Sequence, residues 1–449
     1  MGFGKDFLWG AATAAAQIEG GFDRDGRGLS IWDDIRPEEG RSLNGSDARI
    51  TCEHYTHWKE DVAHMKEIGL KSYRFSISWT RLYPQGYGAF NPKGAEFYSD
   101  LIDELIAAGI KPMITVYHWD MPAAVYARGG WLNPDCEQWF AAFAAKVAEL
   151  YSDRVGTFIL LNEPECIVDG GYNLGSLAPF EKLPFDKVLC VMHRLLLAHG
   201  AAVRAMRKAA KRPIKIGMAV VSGAYIPATE SEADIEAARR LTFYKTGKTL
   251  FKSIAFFETA QTGRYPACIE DEFGSWFSHP ASEMERIAAP LDFFACNVYQ
   301  AKRVKAGADG TPERMLFPYN TCYTAKQWPI TPECVYWAAR FFYERYGLPI
   351  YITENGIATV DLPDDDGAVE DPSRILYVKQ HLRYAQRAVN EGIPLQGYYY
   401  WSLLDNYEWR MGFSQRFGLI YVDYETQKRT LKKSALWYRD VIRSNGENL

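Results

Sequence analysis

Eight short β-rich runs recur along this 449-residue chain with helix-patterned segments between them, and that alternation constrains the fold more than any other feature. The runs cover residues 7–14, 71–78, 111–118, 155–162, 214–221, 291–298, 349–354 and 395–402. Apolar residues at helical spacing fill 55–68, 94–108, 135–151, 185–210, 233–251, 332–346, 372–390 and 431–441. Asn133-Pro134-Asp135 and Thr331-Pro332-Glu333 read as helix starts, and Gly109, Gly347 and Gly392 as helix ends. Eight strand–helix units predict an α/β fold, a single (β/α)8 TIM barrel spanning 1–449 as one domain. A length prior of roughly 150 residues per domain would give about three, but no composition shift marks a linker. An open doubly wound sheet is the rival, and no Gly-x-Gly-x-x-Gly turn follows the first run.

The excess length falls in 20–54, 164–184, 299–330 and 403–430, each following a strand-like run. In a barrel these become extended loops on the C-terminal face of the strands, where the chemistry sits. The exits of the runs carry polar and aromatic residues that layered apolar packing does not need. They are Gln17 and Glu19, Arg74, His118-Trp119-Asp120, Asn162-Glu163, Asn297 and Tyr299, Glu354, and Trp401. A buried ionised carboxylate without a partner is costly, so Glu163 and Glu354 at two strand exits point to chemistry rather than packing. Two carboxylates across a barrel mouth suit glycosidic bond cleavage, one donating a proton and one attacking or activating water. Arg74 and the Tyr299 hydroxyl are the groups expected to hold one carboxylate ionised.

These stretches resemble the family 1 glycoside hydrolases, the β-glucosidase family, over essentially the whole chain. The resemblance is carried by FLWGAATAAAQIEG (7–20), YRFSISWTRLYP (73–84), TVYHWDMP (115–122), LLNEP (160–164), LDFFACNVY (291–299), ITENG (352–356), YYWSLLDNYEW (399–409) and QRFGLIYVDY (415–424). It implies a retaining β-glycosidase acting on terminal β-D-glucosyl residues, with galactosyl and fucosyl as further donors. Glu354 would be the nucleophile and Glu163 the acid/base, with Asn162 on the sugar 2-hydroxyl. Gln17, His118, Glu408 and Trp409 would bind the other hydroxyls, over Trp401 as floor. Asn297 is kept within the motif, Arg74 and Tyr299 would orient the nucleophile, Phe417 would close the wall, and Trp328 would be an aromatic platform for the leaving group.

The chain departs from the family pattern at three places. Glu165 follows NEP where the family usually has Trp, and is expected either to offer hydrogen bonds to a second sugar while raising the pKa of Glu163, or to point to solvent. Ala295-Cys296-Asn297-Val298-Tyr299 lacks a middle tyrosine, and Arg410-Met411 places a positive charge near the site rim. The alternatives are a 6-phospho-β-glycosidase, a thioglucosidase and a non-catalytic sugar-binding relative. Glu408 would repel a phosphate and no Lys lies between it and Lys428, Glu163 is present, and both glutamates are kept.

Other signals read as structural. Cys52, His54, His57 and His64 invite a metal reading, but His57 and His64 would share a helix face two turns apart, roughly 10 Å, too far to grip one ion, so no metal and no cofactor is expected. No Gly-x-Ser-x-Gly elbow accompanies Ser76 or Ser78. The basic run Arg204, Arg207, Lys208, Lys211, Arg212 and Lys215 reads as the solvated end of a helix. A formal charge of −5 argues against a nucleic-acid partner. No signal peptide is visible, no run approaches the ~18 apolar residues of a membrane span, and eight Cys without a Cys-x-x-Cys pair read as reduced thiols. These point to a cytoplasmic protein whose partner is a small glycoside or oligosaccharide, with no oligomeric state indicated.

Overall fold

The computed structural model describes residues 2–33, 41–244, 247–277 and 279–449. Residues 34–40 of the first long loop and 245–246 of the segment expected to be helical over 233–251 lie outside the described residues. Eight parallel strands close into a barrel in chain order. They are β1 (Leu8–Ala12), β2 (Ser72–Ser76), β3 (Lys111–Tyr117), β4 (Thr157–Asn162), β5 (Lys215–Val221), β6 (Phe293–Asn297), β7 (Ile350–Asn355) and β8 (Leu395–Trp401). β2, β6 and β7 are buried along their whole length, as strands must be when side chains fill the barrel on one face and helices cover the other. That is why they read as continuous apolar runs rather than alternating ones.

The outer ring contains helices His54–Ile68, Pro92–Ala107, Cys136–Tyr151, Phe185–Ala209, Cys334–Tyr346, Pro372–Asn390 and Lys433–Arg443. Gly347 closes Cys334–Tyr346 in a left-handed conformation at φ 66°, which a side chain would strain. Phe185–Ala209 is long and apolar enough to cross a membrane, but 72% of its apolar window is buried inside the protein. It is a core helix. Its basic end is not simply solvated: Arg204 donates to the carbonyl of Ala288, Arg207 to that of Pro290, and Arg212 to that of Ser152.

Between β5 and β6 the expected single helix over 233–251 is corrected. Glu232–Phe243 is followed by Ser253–Thr262, Ala267–Phe273 and Ala281–Ile287. Tyr244 leaves the helical range (φ −111°, ψ 67°) and ends the first of these, Gly263 ends the second, and Pro266 and Pro280 cap the starts of the last two. A small sheet of Tyr225–Pro227, Lys302–Ala306 and Pro312–Arg314 and a hairpin of Ile420–Val422 with Arg429–Leu431 are also present beyond the barrel.

Candidate active site

β4 and β7 deliver their glutamates through breaks in the ladder. The β4–β5 register shifts between Ile159 and Asn162, and the β7–β6 register shifts between Ile352 and Glu354. Such an irregularity re-aims the side chain that follows it. Glu163 takes a left-handed φ of 44° while its N–H donates to the carbonyl of Ala219 at 2.7 Å. Trp119 (φ 78°), Gln327 (φ 60°) and Trp409 (φ 48°) share that conformation and all but Gln327 line the same cavity. Left-handed residues with side chains cost energy, and their gathering here marks the site. Beyond Glu354, Gly356 is required by close approach: a Cβ there would lie 1.8 Å from the Trp401 carbonyl oxygen.

A cavity of about 570 Å³ opens at this end of the barrel, lined among others by His118, Asn162, Glu163, Asn297, Tyr299, Trp328, Glu354, Trp401, Glu408, Trp409 and Phe417. Its polar groups form one connected network. Arg74, fully buried, donates from one Nη to Glu354 Oε1 at 2.7 Å and from the other to Asn162 Oδ1 at 2.6 Å. Asn297 Nδ2 donates to Asn162 Oδ1 at 3.1 Å and to Glu163 Oε1 at 2.9 Å. The Thr353 hydroxyl donates to Asn297 Oδ1 at 2.8 Å and so fixes which way that amide faces. The Tyr299 hydroxyl donates to Glu354 Oε2 at 2.8 Å.

The same logic sets the His118 tautomer. Asn162 Oδ1 accepts from Arg74, so its Nδ2 is the atom that donates to His118 Nε2, at 3.0 Å. Burial and the Arg74 charge push the imidazole well below its usual pKa, so the ring is neutral and carries its proton on Nδ1. That Nδ1, like the buried Gln17 Oε1, has no partner among the described residues.

Burial raises both catalytic-type carboxyls above their ordinary values. Glu163 is raised against hydrogen bonds from Asn297 and Cys166 and the charges of Arg74 and Lys326. Glu354 is raised to about 7, burial outweighing the Arg74 charge, with Glu163 adding repulsion. Both carboxyls are thus biased toward the neutral form, and each ionised one disfavours ionisation of the other. The two carboxyls titrate as a pair, and the site of the shared proton is decided by contacts. Glu354 faces a guanidinium and a phenol donor, whereas Glu163 receives a neutral amide and a thiol. The charge belongs on Glu354 and the proton on Glu163.

Not every expected site residue lines the cavity. Gln17 and Arg74 are off its lining, Gln17 donating to the Tyr407 carbonyl at 2.9 Å and to Glu408 Oε2 at 3.5 Å, which leaves its Oε1 for a ligand. Glu19 is a structural ion pair with Arg81, also held by the Tyr98 hydroxyl. Asp120 sits away from the lining, raised by burial to about 8. Glu165 is neither a cavity wall nor a rim group pointing to solvent: it is fully buried, off the lining, with Oε2 at 3.4 Å from the Val221 N–H. The turn at Glu163 leaves position 165 buried beside the end of β5, and Cys166 faces the cavity instead. Arg410 is exposed and also off the lining.

Four participants carried no signal in the sequence. Cys166 Sγ–H donates to Glu163 Oε2 at 3.1 Å. Lys326 Nζ lies 2.5 Å from Glu408 Oε1 and 4.5 Å from the Trp328 ring centroid. Lys302 and Arg314 line the outer part of the cavity. Sequence spacing could not join Lys326 to Glu408, because separate loops bring them together.

His54, His57 and His64 each face a different acid, Asp61, Glu60 and Glu67. Elsewhere His193, His279 and Glu283 bring ligand-type atoms within 4.8 Å of one another. The two imidazoles stack at 3.6 Å and 9°, so their in-plane lone pairs run side by side instead of meeting at one point.

The Glycosyl hydrolase family 1 model matches residues 1–447. Beta-glucosidase A of Thermotoga maritima is 40% identical over 446 residues, covering 99% of this chain and 98% of that protein. The 1,4-beta-D-glucan glucohydrolase of Thermotoga neapolitana is 40% identical over 447 residues, covering 99% of each. A solved structure of the Thermotoga maritima β-glucosidase in complex with castanospermine superposes with TM-score 0.90 at 39% identity, covering 99% of both chains. With a closed eight-stranded barrel, two carboxylates meeting in one cavity and a family match along nearly its whole length, the chain belongs to glycosyl hydrolase family 1.

Proposed function

We propose that this protein is a β-glucosidase that cleaves terminal β-D-glucosyl residues with retention, with galactosyl and fucosyl donors also accepted. The observation that carries the residue roles is Arg74, whose guanidinium bridges Glu354 and Asn162 while Asn297 links Asn162 to Glu163 across the same cavity. Glu354, held ionised by Arg74 and oriented by Tyr299, attacks the anomeric carbon. Glu163 gives its proton to the departing oxygen. The glycosyl–Glu354 ester is then hydrolysed by water that Glu163 deprotonates, so the two inversions give net retention. Asn162, His118 through Nδ1–H, Gln17, Glu408 and Trp409 hold the sugar hydroxyls, Trp401 underlies the ring, and Trp328 and Phe417 wall the opening.

A phosphorylated donor is disfavoured by Glu408, whose carboxylate already neutralises Lys326, the cation nearest it. A reducing, cytoplasmic setting is part of this reading and is supported by eight cysteines, all free. Glu354→Gly tests the central assignment. It should lower hydrolysis of p-nitrophenyl β-glucoside by 10³-fold or more, roughly the loss on removing a covalent nucleophile. Azide should restore turnover and yield an α-glucosyl azide. A variant that keeps near wild-type rate without added azide, or that gives β-azide, overturns the nucleophile role.

A further inference from the structure

The cavity is electrically two-ended. Its inner part holds Glu163, Glu354 and Glu408, each in a hydrogen bond or ion pair. Its outer wall is the three-stranded sheet beyond β5 and β6. Register places Tyr225 beside Lys302, and Pro227 beside Val304, which pairs with Arg314. With a period of two, Tyr225, Lys302 and Arg314 share one face, and all three line the cavity. The Arg314 guanidinium lies 5.7 Å from the Tyr225 ring centroid.

The pairing of the cations on this sheet depends on where they point. Arg303 is paired with Glu333, and Lys305 with Glu313 at 3.1 Å. Lys302 and Arg314, on the cavity side, have no carboxylate within ion-pair distance among the described residues. The wall also lies on the acid/base side. Cys166, bonded to Glu163, and Val221 to Ala224 at the end of β5 line the cavity between Glu163 and Tyr225. A group attached to the oxygen that Glu163 protonates therefore extends toward Lys302 and Arg314, past Leu177 and Phe251, which line the same space.

We propose that this wall is a leaving-group subsite for an aromatic aglycone bearing a carboxylate, with Lys302 and Arg314 as the residues that determine its charge preference. The inference rests on the β-glucosidase reading. An aromatic ring packs against the apolar strip, and its carboxylate faces two cations that no acid among the described residues satisfies. Both cations are solvent-accessible, so each contributes about a two- to five-fold preference rather than a large one.

The test compares 4-carboxyphenyl with 4-carboxamidophenyl β-D-glucoside, which differ in charge with similar electron withdrawal. The ratio of kcat/KM values is measured in wild type, Lys302→Gln, Arg314→Gln and the double variant. Comparing that ratio between proteins cancels the intrinsic reactivity of the leaving groups. The ratio should fall about two- to five-fold in each single variant and about four- to twenty-fold in the double. It should also narrow in wild type between low and high salt. Lys302→Glu should reverse the sign of the effect. Turnover of the neutral glucoside with a ratio unmoved by all four variants overturns the subsite. No turnover of either glucoside overturns the β-glucosidase reading itself.

Discussion

Glu163 is tuned by a thiol. The Cys166 Sγ–H donates to Oε2 at 3.1 Å, which favours the ionised carboxylate, while burial opposes ionisation more strongly. The Cys166 thiol is itself pushed well up by burial and by the neighbouring carboxylates, so it stays protonated and acts as a donor. A thiol is a weak donor, which in the proposed mechanism leaves Glu163 protonated when the substrate binds and still able to serve as base afterwards. Removing it has a defined sign. In Cys166→Ala the ionised form of Glu163 loses a donor, its pKa rises, and the alkaline limb of the kcat/KM profile moves to higher pH. The expected movement is a few tenths to about one unit, the scale of one weak hydrogen bond. The acid limb should stay in place, because Glu354 is held by Arg74 and Tyr299. An alkaline limb that stays put or moves to lower pH would remove Cys166 from the tuning of the acid/base.

At the scale of elements, the barrel was legible because its strands are buried on both faces and separated by amphipathic helices. The run over 155–162 became Thr157–Asn162 and that over 349–354 became Ile350–Asn355. Errors fell where periodicity carries no information. The three-residue strands Tyr225–Pro227 and Pro312–Arg314 are too short to alternate, and they build the outer cavity wall. Glu163, Glu354 and the aromatic lining were legible because polar residues at strand exits have no packing role. The burial of Glu165 was not, because it depends on the left-handed backbone at Glu163. Nor was the Lys326–Glu408 pair, which joins residues 82 positions apart. Through that pair the 299–330 loop joins the wall of the cavity. Lys326 is 22% exposed on its side chain and Glu408 7%, so breaking the pair costs less than for a wholly buried one, about 1–2 kcal/mol. Lys326→Met should therefore lower kcat/KM for β-glucosides about ten-fold, mostly through KM. It should also move the alkaline limb up, since the Lys326 charge lowers the Glu163 pKa. Lys326→Arg should recover most of the loss. A Met variant with wild-type KM would show that the loop cation merely decorates the pocket.

Over the whole molecule, the active face is held together by buried charge. Lys432, which precedes the last helix, contacts Asp361 in the loop after β7 at 2.5 Å and Asp405 in the loop after β8 at 2.7 Å. Arg374 contacts Asp361 at 2.7 Å and also pairs with Asp371, and Arg416 contacts Asp405 at 2.7 Å. Asp405 stands three residues before Glu408, so this cluster fixes the base of the loop that carries Glu408 into the cavity. Three carboxylates balance three cations, and losing one partner strands buried positive charge. Asp361→Asn should destabilise the fold by about 3–5 kcal/mol, read from denaturant midpoints at constant slope. The pH dependence follows from the direction of the shift. Despite burial, Lys432 and Arg374 hold the Asp361 carboxyl down to about 2, against about 3.9 in an unfolded chain. A depressed carboxylate stabilises the fold in full above the unfolded value and loses that contribution as the pH falls through the folded one. About 2 kcal/mol of stability should thus disappear between pH 4 and pH 2 on account of this one group. Asp361→Asn should flatten the acid slope in that window by up to one proton while remaining less stable at neutral pH. Parallel slopes for wild type and variant from pH 4 to pH 2 would mean that Asp361 does not bear the charge assigned to it, and that the loops after β7 and β8 are held chiefly by packing.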